Sequence, residues 1–176
     1  MTALVAVLAV LVVALAAALV AMLVRRNRHP RRLPVNRGAR RVLVAFSGRL
    51  DPTVVEAAIR IARADEAVLV PAYLLVVPLR YGEDSPLRDE VELAMPLLEA
   101  VEHAALRAGV PVDARIEKGR TLTHALKRLW EVERFDRIIA PAPTNGHGGF
   151  TEKELAWVLT HAPAETVVLK PMPAAA

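Results

Sequence analysis

The segment from Asn145 to Phe150 concentrates the residue types that could bind a small ligand. It contains Gly146, Gly148 and Gly149, three of the eight glycines of the chain, and it comes directly before a predicted helix. Backbone N–H groups beside glycine, together with the positive end of the helix dipole, can bind a phosphate. His147 could contact that phosphate when protonated, or it could be a solvated loop histidine. A plain turn uses glycine in the same way, so both interpretations stay open.

A second short segment, Ser47 and Gly48, follows the apolar run Arg41–Phe46, which is typical of a strand buried on both faces. In open parallel sheets, ligands bind at the carboxyl ends of the strands, where the strand order reverses. We therefore expect the loop after this strand to meet the glycine-rich loop, Pro141 to Gly149. The nucleotide site predicted there comprises Ser47, Gly48, Gly146, His147 and Gly149.

Several kinds of chemistry are excluded or disfavoured by the residue types. The chain has no cysteine, which excludes disulfides, thiolate catalysis and cysteine-based metal sites. The two serines, Ser47 and Ser85, do not lie in a Gly-x-Ser-x-Gly motif, and the five histidines show no metal-ligand spacing. We predict no catalytic residue, no metal and no enzyme activity.

Apolar strands alternate with amphipathic helices along the remaining chain. This β-α-β-α-β-α-β-α-β order predicts a five-stranded parallel doubly wound sheet, Rossmann-like, with strand order 3-2-1-4-5. The predicted strands are 41–46, 72–77, 110–117, 136–140 and 166–169, and the predicted helices begin near Asp51, Leu87, Thr121 and Thr151.

Two local signals refine this assignment. Pro71 cannot donate a hydrogen bond to a neighbouring strand, so we place the start of the second strand after it, at Ala72. Thr151 and Glu154 form a capping-box pattern that begins the last helix. The predicted buried stripe of that helix consists of Leu155, Val158, Leu159 and Ala162.

The amino-terminal run from Ala3 to Val24 contains only Ala, Leu, Val and Met. As a helix its 22 residues would extend about 33 Å, enough to cross a hydrocarbon core of about 30 Å. A cleaved signal peptide is the alternative, but the run is long for a signal core and no positive charge precedes it. We predict a transmembrane helix over residues 1–24.

A basic segment follows this run. Arg25–Arg41 contains eight arginines and no acid, whereas the chain from Val42 onward has 15 basic against 19 acidic residues. Positive flanks stay cytoplasmic, which predicts a single-pass protein of the inner (plasma) membrane with a cytoplasmic carboxyl-terminal domain. The arginines could bind anionic lipid headgroups or could set topology alone. The acidic domain argues against a nucleic-acid partner.

The predicted organisation is a transmembrane helix (1–24), a basic juxtamembrane linker (25–40), a globular domain (41–170) and a tail (171–176). Segments at both ends of the domain resemble those of universal stress protein (UspA-like) domains, and the resemblance covers about Arg41 to Lys170. It rests on Phe46-Ser-Gly48, the helix containing Ala57-Ala58 and Ile61-Ala62, Asp136-Arg-Ile-Ile-Ala140, Gly146-x-x-Gly149, and His161-Ala-Pro163 before Thr166-Val-Val-Leu169.

The resemblance implies a homodimer joined through the last strand. Some members of the family bind ATP and others do not. The binders carry an Asp after the first strand and a Gly-x-x-Gly followed, nine residues on, by Gly and Ser/Thr. Gly146 and Gly149 match this pattern and Thr160 follows at its end, but Leu159 replaces the third glycine and Ser47 replaces the acid. The implied nucleotide site is therefore degenerate.

Two hypotheses follow. The first is a membrane-anchored regulatory and interaction module that homodimerises, contacts an unidentified membrane protein and needs no bound cofactor. The alternative is a stress sensor that binds an adenine nucleotide, ATP or AMP, through the predicted site.

Overall fold

The computed structural model describes residues 38–143 and 148–170. The predicted transmembrane helix, most of the basic linker, Gly146, His147 and the tail lie outside the described residues. Within the described ranges, no helix is long and apolar enough to cross a membrane.

The sheet has five strands in the order β3-β2-β1-β4-β5, and every neighbouring pair is parallel. The predicted fold class and strand order are therefore confirmed. The order reverses between β1 and β4, which places the carboxyl ends of these two strands at the switch point. The strands are β1 (Arg41–Phe46), β2 (Val68–Val76), β3 (Arg115–Gly119), β4 (Arg137–Pro141) and β5 (Glu165–Leu169).

Helices cover both faces of the sheet, so that two apolar layers form. One layer packs α1 and α2 against Val42, Val44 and Ile139. The other packs α3 and α4 against the opposite face, including Leu43 and Ile138. Successive residues of β1 point to opposite faces, which explains why a strand buried on both sides is apolar throughout. The helices are α1 (Pro52–Ala64), α2 (Arg88–Arg107), α3 (Leu122–Val132) and α4 (Glu152–His161).

The predicted start of β2 at Ala72 is wrong, because β2 begins at Val68 and Pro71 lies inside it. The amide of Leu69 donates a hydrogen bond to the carbonyl oxygen of Pro111, on the side of β2 that faces β3. Because alternate residues of a strand direct their nitrogens to the same side, the nitrogen of Pro71 also faces β3. On that side Leu69 makes only an isolated bridge, and the regular ladder with β3 begins at Ala72. The missing N–H therefore falls in a gap between hydrogen-bonded partners.

Two other sequence predictions need correction. The third strand occupies Arg115–Gly119 rather than 110–117, since Val112 makes only a single bridge to β2. Leu159, predicted to be buried, is 59 % exposed, and only Val158 of α4 is fully buried. Because α4 lies near the edge of the sheet, over β4 and β5, it packs through fewer of its apolar residues than the sequence pattern predicted.

Ion pairs tie together the end of the sheet opposite the switch point. Arg41 and Arg115 each contact Asp113 and Glu133, at 2.8–3.0 Å, in a closed ring of four side chains. The guanidinium of Arg41 is thus engaged within the domain, and the proposed lipid contacts rest on the arginines before it.

A second ion-pair group lies at the start of β4. Arg137 pairs with Asp65 and Glu165. The hydrogen bond to Glu165, with the charge of Asp65 in support, raises the pKa of Arg137 above its ordinary value. Arg137 therefore stays charged at every physiological pH.

Candidate functional site

The loops after β1 and β4 meet at the switch point and touch backbone to backbone. The amide of Gly148 donates a 2.6 Å hydrogen bond to the carbonyl oxygen of Arg49. A Cβ on Gly148 would overlap the carbonyl oxygen of Ser47, and one on Gly48 would lie 3.7 Å from the Cα of Gly148. The two segments that were expected to flank a nucleotide are therefore in direct contact.

Glycine is required on both sides of this contact. Gly48 has a φ of +79°, a conformation that other residues rarely adopt. Gly148 has no space for a side chain because of Ser47. At Gly149 a Cβ would lie 2.6 Å from the carbonyl oxygen of Ala142, so this position also lies against backbone. The glycines serve the packing of one loop against another.

Large aromatic side chains support the contact from inside the domain. Phe46 and Phe150 are 0 % and 1 % exposed, and the amide of Phe150 donates to the carbonyl oxygen of Pro141. Phe150 belongs to the layer beneath α3 and α4, where its burial anchors the chain between the glycine-rich loop and α4. The ends of both loops are thereby fixed by residues of the core.

The helices that begin at the switch point have their first amides capped by their own side chains. Asp51 precedes α1 and accepts from the backbone amide of Thr53 at 2.8 Å. Before α4, Thr151 accepts from the amide of Glu154, and Glu154 Oε2 accepts from the amide of Thr151 at 2.8 Å. These amides are among those that would otherwise bind a phosphate at a helix start.

The charges around the two helix starts also disfavour the binding of an anion. Asp51, Glu152 and Glu154 bring three carboxylates to these helix ends, where negative charge is already favoured by the dipoles. Arg49, whose side chain is exposed, brings a positive charge to the loop that follows β1. A phosphate would have to displace the capping carboxylate of Glu154 or bind beside it.

Of the residues predicted for the site, Ser47, Gly48 and Gly149 lie at this junction and are half-buried. Gly146 and His147 lie outside the described residues. Sequence reasoning missed Gly148, because the Gly-x-x-Gly spacing selects the glycines on either side of it. It also missed Arg49, whose place directly after Ser47-Gly48 was the available signal. The described residues hold no group of side chains suited to a metal ion.

Comparison with solved structures identifies the fold. No family model matches the chain, and no curated protein sequence matches it. Universal stress proteins are among its structural neighbours. A family member from Burkholderia pseudomallei is 18 % identical, with a TM-score of 0.53, and the match covers 72 % of this chain and 94 % of that one.

Two further neighbours were solved with nucleotides. A family protein from Arabidopsis thaliana with AMP bound is 17 % identical, with a TM-score of 0.56, over 76 % of this chain and 92 % of that one. The universal stress protein from Archaeoglobus fulgidus in complex with dAMP is 12 % identical, with a TM-score of 0.56, over 73 % and 96 % of the two chains. The predicted resemblance is thus supported at the level of the fold.

Proposed function

We propose that this chain is a membrane-anchored regulatory module with the universal stress protein fold, which acts through protein contacts and needs no bound nucleotide. One observation carries the proposal: the backbone contact between Gly148 and the Ser47–Arg49 segment occupies the switch point. A domain of this kind would transmit a signal by binding a partner, and we expect no catalytic turnover.

The cost of opening the contact supports this choice. A nucleotide entering between the loops would break the Gly148–Arg49 hydrogen bond, worth about 1 kcal/mol. A phosphate bound to the first amides of α4 would also displace the capping box, worth about 1 kcal/mol. The sequence replaces the charged acceptor of ATP-binding relatives with Ser47, a weaker hydrogen-bonding group. The ligand would therefore meet a weaker acceptor at Ser47 and would have to displace hydrogen bonds that the domain already makes.

The anchor and orientation are part of the proposal. The uninterrupted apolar run Ala3–Val24 and the arginines that follow it support a single-pass protein of the plasma membrane with the domain in the cytoplasm. The same arginines would bind anionic lipid headgroups at the bilayer surface, and each arginine would contribute about 1 kcal/mol of binding free energy. The target would then be a membrane protein within reach of the domain.

The last part of the proposed function is homodimerisation through β5. β5 is an edge strand, and Val168 on it is 39 % exposed. An open strand edge with an apolar side chain can pair with a second copy of itself. A dimer would present two domains to the membrane partner and two basic linkers to the lipid.

The alternative function is adenine-nucleotide sensing. The bound AMP and dAMP in two neighbours of the same fold favour it, and Arg49 offers a positive charge beside the junction. In this alternative the loops would have to part when the nucleotide enters.

Isothermal titration calorimetry of the full chain in dodecyl maltoside micelles tests the proposal. We expect no saturable heat from ATP or AMP up to about 1 mM, because the ligand would have to open the junction. Binding at micromolar Kd would contradict the proposal. If binding is weakened by Arg49→Met and not by Arg134→Met, an exposed arginine outside both loops, the nucleotide sensor is the correct function.

A further inference from the structure

A cavity lies between α3 and α4, and none of the described residues that line it belongs to the switch-point loops. Its volume is about 420 Å³, and its lining consists of Thr123, His124, Lys127, Trp130, Trp157 and His161. Cavities of this size are typical of sites for small organic molecules. The lining brings four aromatic rings, two of tryptophan and two of histidine, to one opening together with the ammonium group of Lys127.

Three of these aromatic rings form one continuous stack. The rings of Trp130 and Trp157 are 5.4 Å apart with 13° between their planes, and those of Trp157 and His161 are 4.8 Å apart with 14° between them. The Nδ1 atom of His161 lies 2.9 Å from the carbonyl oxygen of Trp157 and donates to it, which fixes the outer ring. The stack is preformed, and because Trp157 is its middle ring, a planar ligand would stack on an outer ring, Trp130 or His161.

The polar side chains of the cavity are suited to a negative charge. Lys127 contributes an ammonium group whose ion pair within the described part of the chain is with Glu131, at 3.7 Å, and both side chains are more than half exposed. The Nδ1 atom of His124 lies 3.3 Å from the amide nitrogen of Arg120 and 3.2 Å from Oε1 of Glu83, so this ring nitrogen is turned away from a ligand. The nearest carboxylates, Glu131 and Glu83, contact Lys127 and His124 respectively, but neither belongs to the lining.

We propose that this cavity binds a small planar aromatic anion, such as an aromatic carboxylate of one or two rings. The ligand's ring would stack on an outer ring of the stack, Trp130 or His161, and its acid group would be held by Lys127 with a hydrogen bond from Thr123. A neutral aromatic molecule would gain the stacking alone. This inference does not depend on the proposed function, since the cavity is separate from the junction at Gly148.

The two tryptophans of the cavity are the only two of the chain, which makes their indole N–H groups specific reporters. The ¹⁵N-labelled full chain in dodecyl maltoside micelles would be titrated with 2-naphthoate and, in parallel, with the neutral 2-naphthylmethanol. We expect both indole resonances to move and saturate with 2-naphthoate below about 1 mM, and the alcohol to bind about tenfold more weakly. Absence of saturation, or equal affinity for the two compounds, would overturn the proposal.

Charge variants test the role assigned to Lys127. Lys127→Met keeps the length of the side chain and should lower the affinity for 2-naphthoate about five- to tenfold, while the affinity for 2-naphthylmethanol should stay unchanged. Lys153→Met removes a lysine of α4 that does not line the cavity and should leave both affinities unchanged. Equal binding by Lys127→Met and the wild type would overturn the assignment. If AMP bound the protein, its loss in Lys127→Met but not in Arg49→Met would place it in this cavity.

Discussion

At the residue scale, the account depends on one glycine in a cluster of three. Gly148 donates to Arg49 and lies against Ser47, so its missing side chain permits the two loops to touch. The sequence predicted a glycine-rich loop from Pro141 to Gly149, and the structure describes its two ends. It could not identify Gly148 as the contact residue, since the close approach depends on where β1 and β4 end relative to each other.

Gly148→Ala should lower the free energy of unfolding by about 1–3 kcal/mol, because the added methyl group would force the backbone of the two loops apart. Gly82→Ala is the matched control. Its Cβ would make an ordinary contact 3.6 Å from the Ser85 hydroxyl, so we expect little change. Urea unfolding of both variants measures the difference. Equal stability of the two variants would mean that the loops are not packed as described.

At the element scale, the alternation of strands and helices was sufficient to predict the sheet and its order. β1 was predicted with its observed bounds, and the capping box of α4 was predicted residue by residue. The errors in the predicted elements occur beside a proline and at the edge of the sheet. Pro71 is accommodated because β3 leaves a gap beside it, and Leu159 is exposed because α4 packs near the edge of the sheet. Neither circumstance can be recognised from local periodicity.

The edge strand β5 leads to a prediction about assembly. Val168→Lys places a charge on the open edge and should shift the protein from dimer to monomer, because a buried unpaired charge at a strand-to-strand interface is costly. Val76→Lys is the control, since Val76 is similarly exposed, at 44 %, on β2. Sedimentation velocity of the full chain in micelles would measure both. A wild-type monomer, or a dimer unaffected by Val168→Lys, would contradict assembly through β5.

At the scale of the whole molecule, charge and hydropathy divide the chain into three parts. An uncharged apolar run, an arginine-rich segment and an acidic domain follow one another, and each part has a different partner in the proposal: lipid core, lipid headgroup and protein. The sequence predicted the fold of the third part. It predicted that the loops after β1 and β4 meet, and the nucleotide site placed there stays a prediction. The backbone contact between the loops and the separate cavity between α3 and α4 were not predicted, because both depend on residues that only the tertiary structure brings together.

Reporter fusions after Ala176 test the predicted orientation. A green fluorescent protein that fluoresces only when it folds in the cytoplasm should be active, and alkaline phosphatase, which is active only after export, should be inactive. Changing the six arginines between Arg25 and Arg37 to glutamine should weaken this preference. An active phosphatase fusion in the unaltered chain would place the domain on the other side of the membrane and refute the cytoplasmic assignment.

The most direct test of the central claim is hydrogen exchange at the amide of Gly148, with and without millimolar ATP. In a closed junction this amide donates to Arg49, so its exchange should be at least about tenfold slower than that of a free loop amide, and ATP should leave the rate unchanged. Exchange at the rate of a free amide, or a rate that changes when ATP is added, would contradict a closed, nucleotide-independent switch point.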